Sequence, residues 1–132
     1  MKKTKKILKI HVLKSSKAEE MKANVLSANC PSRRIMNNVT SKWSVLVFLV
    51  LSDGSVKRFS ELRRQIEGVS EKMLTQTLRS LEVDQFIIRK SYHVVPPYVE
   101  YSLSKLGLEA AKKVISLTGW IEANLEQIDA KK

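Results

Sequence analysis

Cysteine and histidine are scarce in this 132-residue chain: there is one cysteine, Cys30, and two histidines, His11 and His93. No intramolecular disulfide can form, and a single cysteine suits a reducing cytoplasm. A zinc site needs about four ligands, usually closely spaced Cys and His, and these three residues are scattered. No metal site is expected. Glycine occurs only four times, each time at a turn or in the last helix, so no glycine-rich loop cradles a phosphate. No Ser-His-Asp order stands out either. The residues therefore give no support for an enzyme, a catalytic residue or a cofactor.

Long apolar runs are missing too. The longest, Val45 to Leu51, is far too short to span a bilayer. The lysine-rich start resembles a signal peptide, but Lys9, His11 and Lys14 interrupt Ile7, Leu8, Ile10, Val12 and Leu13. Lysines mixed with aliphatics also suit an anionic membrane surface, although no membrane partner is expected. A cytoplasmic location is.

Acidic residues are few. Lys and Arg number 24 against 13 Asp and Glu, a formal charge of +11. Such a surplus favours polyanionic partners, with a merely soluble basic surface as the plain alternative. The charge is uneven: residues 1–22 hold eight lysines against Glu19 and Glu20. Residues 1–20 thus read as a basic, flexible arm, and 21–132 as one domain.

Local signals order that domain. Met21 to Asn29 is a candidate helix, and Pro31 suits the first turn of the next, with Ile35, Met36 and Val39 on one face. Ser41 caps a nearly all-apolar segment, Lys42 to Leu51, read as a buried central helix. Asp53-Gly54 ends it. A short strand, Val56 to Phe59, comes next. Ser60 is then expected to cap Glu61 to Ile66, Gly68 to break that helix, and Ser70 to cap another from Glu71 to about Val83. Two short helices joined by a glycine turn outline a helix-turn-helix. Phe86 to Tyr92 and Tyr98 to Leu103 form a hairpin around Pro96-Pro97. Ser104 caps a last helix to about Ile128. The fold class is α+β, mostly α: a winged helix-turn-helix with extra N- and C-terminal helices forming a dimer interface.

The helix from Glu71 carries two faces. Leu74, Leu78 and Leu81 make one apolar stripe, and Lys72, Gln76 and Arg79 recur at the same spacing, displaced by two residues, with Thr75 beside them. Arg pairs with guanine, Gln with adenine, and Thr can touch a thymine methyl. Any surface helix has a polar face; the context is what favours double-stranded DNA. Ser70 starts the helix, and Arg63, Arg64, Arg89 and Lys90 flank it in sequence as phosphate contacts would. His93 or Tyr98, near the hairpin tip, are candidates for the minor groove, against a plain packing role. The rival reading is a winged-helix protein-interaction module without specific DNA binding, which should carry acidic or large apolar groups on the exposed face.

The last helix has a stripe of its own: Leu106, Ala110, Val114, Leu117, Ile121 and Leu125, flanked by Trp120. It suits packing on a second copy of the chain, the two-fold partner that a palindromic operator requires. The alternative is that this helix covers its own domain.

From Cys30 to Gly107 the chain resembles the HxlR family of winged-helix transcription regulators, a relative of MarR-type regulators. The stretches that carry the resemblance are Cys30-Pro31, SKWSVLVFLVLSDG at 41–54, RFSELRRQIEGVSEKMLTQTLRSLE at 58–82 and VVPPYVEYSLSKLG at 94–107. The resemblance implies a homodimer, a recognition helix at 70–83, a wing at 86–103 and a palindromic operator; a repressor is the working expectation, with activation left open by the sequence. Some family members sense oxidants or electrophiles through a cysteine placed like Cys30. Here Cys30 precedes a helix start, where the dipole favours thiolate, with packing as the alternative role. A redox or small-molecule effector is therefore an expectation without a named ligand. Gln85 stands where the family usually has glycine, so either the helix ends differently or some backbone strain is tolerated.

Overall fold

The computed structural model describes residues 24–130, so the basic arm at 1–20 and residues 21–23 lie outside the described residues. A division into two units falls between Asn38 and Val39. In the first, residues 24–29 form turns and not the expected helix. The Asn24 side chain accepts from the Leu26 amide at 3.1 Å. The Arg33 guanidinium donates to the carbonyls of Val25 and Leu26 at 2.8 and 2.6 Å. These local bonds hold the segment as turns. Helix α1 (Pro31–Thr40) begins at the expected proline.

The second unit starts its core with α2 (Lys42–Leu51), which the Ser41 hydroxyl caps by accepting from the Ser44 amide. Val47, Phe48 and Leu51 of α2 have no exposed surface. Phe48 meets Phe86 edge-on, with centroids 5.8 Å apart. The helix ends in the expected turn, where Gly54 takes φ +83°.

Strand β1 (Lys57–Arg58) leads directly into α3 (Phe59–Gln65). Arg58, and not Ser60, occupies the N-cap position. The Glu61 carboxylate explains the shift by accepting from the Arg58 amide at 2.8 Å, so the helix starts before Ser60. A turn with Gly68 at φ +91° separates α3 from α4 (Glu71–Val83). Ser70 caps α4 as expected, accepting from the Met73 amide at 3.0 Å. Leu74, Leu78 and Leu81 are buried, as are Leu62 and Ile66, and join the core that α2 begins.

The end of α4 shows how Gln85 is accommodated. The Gln85 amide donates to the Glu82 carbonyl at 3.0 Å and the Phe86 amide to the Leu81 carbonyl at 2.9 Å. This pair of bonds is the Schellman arrangement, with Gln85 at the left-handed position. Its φ is +72°, so the strain is present. The Ser104 hydroxyl donates to the Gln85 carbonyl at 2.6 Å and accepts from the Gly107 amide at 2.9 Å. A Cβ at Gly107 would overlap the Phe86 carbonyl oxygen. The end of α4 and the start of the last helix are thus fastened together.

Strands β2 (Ile87–Tyr92) and β3 (Tyr98–Leu103) form the hairpin, and β3 lies between β1 and β2 in an antiparallel sheet. Helix α5 (Lys105–Ala123) follows, then a short α6 (Leu125–Ile128). The sequence suggests one helix to Ile128. The break comes at Asn124, whose amide side chain donates to the Trp120 carbonyl at 2.8 Å while its backbone leaves the helical region.

Candidate nucleic-acid interface

α4 sits with its leucine stripe in the core and the opposite side in solvent. Lys72, Thr75, Gln76 and Arg79 are all exposed. Ser70 is exposed at the helix start, committed to its cap. The presented groups are an ammonium, a hydroxyl, an amide and a guanidinium, with no carboxylate among these four positions. Acidic neighbours sit at the helix ends: Glu71 in the first turn and Glu82 in the last. Glu71 approaches Arg63 at 3.8 Å, an exposed pair whose energetic worth is about 0–1 kcal/mol. Arg63 and Arg64 border the groove between α3 and α4 together with Phe59, Ser60 and Glu71.

The hairpin separates residues that the sequence groups together. Register pairs Arg89 with Tyr101 and Lys90 with Glu100. Neighbouring strand residues point to opposite faces. Arg89 falls on the face of buried Tyr101 and lines a small cleft with Thr75, Arg79 and Glu82 of α4. Arg89 thus joins the exposed face of α4, and its guanidinium donates to Ser91 Oγ at 3.1 Å. Lys90 stands on the other face, its ammonium 5.2 Å from the Tyr92 ring centroid. The two-residue alternation of a strand is the sequence signal for this separation.

His93 is exposed beside the hairpin tip. Tyr98 is not a free reaching side chain. It is half-buried, stacked on Tyr92 with centroids 4.6 Å apart, and covered on its other side by Arg58 at 3.8 Å. Tyr101 is buried, in keeping with its place between Val99 and Leu103.

The last helix divides its stripe in two. Leu106, Leu117, Trp120, Ile121 and Leu125 are each more than two-fifths exposed. Ala110 is partly buried. Val114 departs from the expectation: it is 9% exposed, on the side of α5 that carries Gly107 and Ala111 into the core. Its side chain is committed to its own domain, so it does not belong with the exposed group. A Cβ at Gly119 would meet nothing within 4 Å in this chain.

Cys30 lies just before α1, partly exposed, with its Sγ 2.9 Å from the Ser32 hydroxyl. Hydrogen bonding from Ser32, through its hydroxyl first and its backbone second, holds the thiol below its ordinary pKa. Among the described residues no cluster of three or more His, Cys, Asp or Glu is arranged to hold a metal ion. No helix among them is long and apolar enough to cross a membrane.

The model of the HxlR-like helix-turn-helix family matches residues 38–129. The chain belongs to the HxlR family. It is 51% identical over 105 residues to YtfH of Escherichia coli (strain K12), an uncharacterized HTH-type transcriptional regulator, covering 80% of this chain and 82% of that one. Among solved structures it is similar to the transcriptional regulator ytfH of Salmonella typhimurium, at 52% identity and TM-score 0.77, covering 82% and 96% of the two chains. It is also similar to the redox regulator HypR in its oxidized form, at 38% identity and TM-score 0.65, covering 72% and 97%. The architecture is accordingly the winged helix-turn-helix of this family of transcription regulators, with α3 and α4 as the helix-turn-helix and β2–β3 as the wing.

Proposed function

We propose that this HxlR-type regulator binds double-stranded DNA sequence-specifically as a homodimer on a palindromic operator. One observation carries the reading: α4 buries Leu74, Leu78 and Leu81 and presents Lys72, Thr75, Gln76 and Arg79 together on its exposed side. In the major groove Arg79 would read guanine, Gln76 adenine and Thr75 a thymine methyl, with Lys72 near phosphate. Arg89 extends this row from the wing, and Arg63 and Arg64 supply phosphate contacts from α3. Lys90 and His93 would meet the DNA backbone or minor groove from the far side of the wing. At the four positions Lys72, Thr75, Gln76 and Arg79 the face carries polar and basic groups, where a protein-interaction module would carry acidic or large apolar ones.

The homodimer rests on the exposed apolar residues of α5 and α6, Leu106, Leu117, Trp120, Ile121 and Leu125. Large apolar side chains left exposed in this number along α5 and α6 favour an interaction surface. Two-fold pairing through it would match operator symmetry.

A second reading concerns regulation. The lowered pKa of Cys30 favours thiolate, the reactive form. A HypR-like redox response through Cys30 is therefore proposed. Because the chain has one cysteine, oxidation would join two subunits or capture a small thiol.

The test is binding to short fragments from the protein's own gene neighbourhood, titrated against salt. Tight binding to one fragment is expected, with two protected half-sites about 10 bp apart and a steep salt slope. Weak binding, uniform across fragments and lost near physiological salt, would refute sequence-specific recognition.

A further inference from the structure

The outer part of the wing has little to rest on. β1 pairs with β3 only at Tyr101 and Glu100, so beyond Glu100 the hairpin is a two-stranded ribbon. Such a ribbon is marginally stable by itself. Its tip is open to solvent, with Val95 98% exposed. Something must hold the last register pair, Tyr92 and Tyr98, if the wing is to keep one orientation relative to α4.

The candidate is a row of side chains on the outer face of the sheet. The Arg58 guanidinium lies 3.8 Å from the Tyr98 ring centroid. Tyr98 stacks on Tyr92 at 4.6 Å with 17° between the ring planes. The Lys90 ammonium stands 5.2 Å from Tyr92. Each ring of the stacked pair thus has a cation against it, Arg58 on Tyr98 and Lys90 on Tyr92. Strand register explains the row, because Arg58 pairs with Glu100 and Tyr98 is two residues along β3 on the same face. Arg58 is also pinned at its backbone, where the Glu61 carboxylate accepts its amide. The residue is therefore rooted in the start of α3 while its side chain grips the outer hairpin.

We propose that Arg58 is a positioning residue: by stacking on Tyr98 it fixes the wing to the helix-turn-helix, so that Arg89 and the exposed face of α4 reach DNA as one surface. The inference deepens the DNA-binding reading and rests on it for its consequence, but the stack itself is testable without DNA. A planar guanidinium over a ring suits this task. The competing role for an exposed arginine here is direct contact with phosphate.

The experiment measures amide hydrogen exchange of the hairpin and DNA affinity against salt for the full chain and four variants. These are Arg58→Ala, Tyr98→Ala, Tyr98→Phe and the double variant Arg58→Ala/Tyr98→Ala. Arg58→Ala and Tyr98→Ala should each speed exchange of the outer hairpin amides by about three- to tenfold. Tyr98→Phe keeps the ring and should change it by less than about twofold. The double variant should be no faster than Tyr98→Ala, since the same contact is already lost. Arg58→Ala should weaken DNA binding by a similar factor with its salt slope retained. Hairpin exchange unmoved by Arg58→Ala overturns the proposal, and a salt slope reduced by about one in the same variant makes Arg58 a phosphate contact. If the unaltered protein binds no fragment, the DNA-binding reading fails while the exchange data still decide the stack.

Discussion

Replacing Gln85 by glycine should stabilise the protein. Gln85 occupies the left-handed position of the Schellman turn that closes α4, with φ +72°. A left-handed backbone costs a residue with a Cβ about 1–2 kcal/mol, and glycine escapes that cost. Glycine in turn loses about 0.4–1 kcal/mol more backbone entropy on folding. The difference leaves a gain of about 0.5–1 kcal/mol. In a domain of this size that raises the thermal midpoint by about 2–6 °C, read by circular dichroism at fixed protein concentration. Gln85→Ala is the control, because alanine keeps the Cβ and should give no such gain. The amides of Gln85 and Phe86 keep their carbonyl acceptors in either variant, so hydrogen bonding does not confuse the comparison. A midpoint unchanged or lowered in Gln85→Gly would refute the reasoning. So would an equal rise in Gln85→Ala, which would place the effect in the side chain and not in the backbone.

Arg79→Ala should weaken operator binding by about 1–3 kcal/mol and relax specificity at one base of each half-site; equal loss on every fragment would make Arg79 a phosphate contact. Arg89→Ala should weaken all fragments alike and lower the salt slope by about one, and an unchanged slope would argue against that role. Leu117→Glu adds charge to a residue already 59% exposed within one chain, so it should leave the fold intact and halve the sedimenting mass. A mass still at two chains would remove this face from the dimer. Val114→Glu, by contrast, buries a carboxylate in the core and should lower folding stability by about 3 kcal/mol or more, measured by denaturant titration. Ser32→Ala removes the first cause of the lowered Cys30 pKa. The pH at which alkylation reaches half its limiting rate should therefore rise toward the ordinary thiol value. An unmoved midpoint would show that the hydroxyl does not set the thiol's reactivity.

What could be read from the sequence followed from interactions between near neighbours. Ser41, Ser70 and Ser104 each cap the helix that follows, because a hydroxyl three residues before an amide is a local arrangement that needs no knowledge of the fold. The leucine stripe of α4 was equally legible, since a helix has one period and α4 has one buried side. Where two local devices competed, the reading failed. Ser60 and Glu61 both offer to organise the start of α3, and the carboxylate reaching back to Arg58 wins. At Asn124 the side-chain amide joins the residue's own backbone amide on the Trp120 carbonyl, and the backbone leaves the helical region there.

The candidate interface was legible on α4 and less so on the wing, for a geometric reason. A helix wheel orders side chains by angle without saying what lies opposite, so Val114 and Leu117 look alike along α5 although one is buried and the other exposed. Adjacent basic residues in a strand invite the opposite error. Arg89 and Lys90 look like one phosphate clamp, yet the pleat sends Arg89 to the cleft with Arg79 and Lys90 to the ring of Tyr92. The hairpin therefore divides its labour by face: the inner face extends the polar surface of α4, and the outer face ties the ribbon to Arg58. The role of Arg58 is hidden in the sequence because its partner lies 40 residues away and becomes a neighbour only when β1 pairs with β3. Positioning contacts of this kind depend on strand register, which no local pattern around Arg58 specifies.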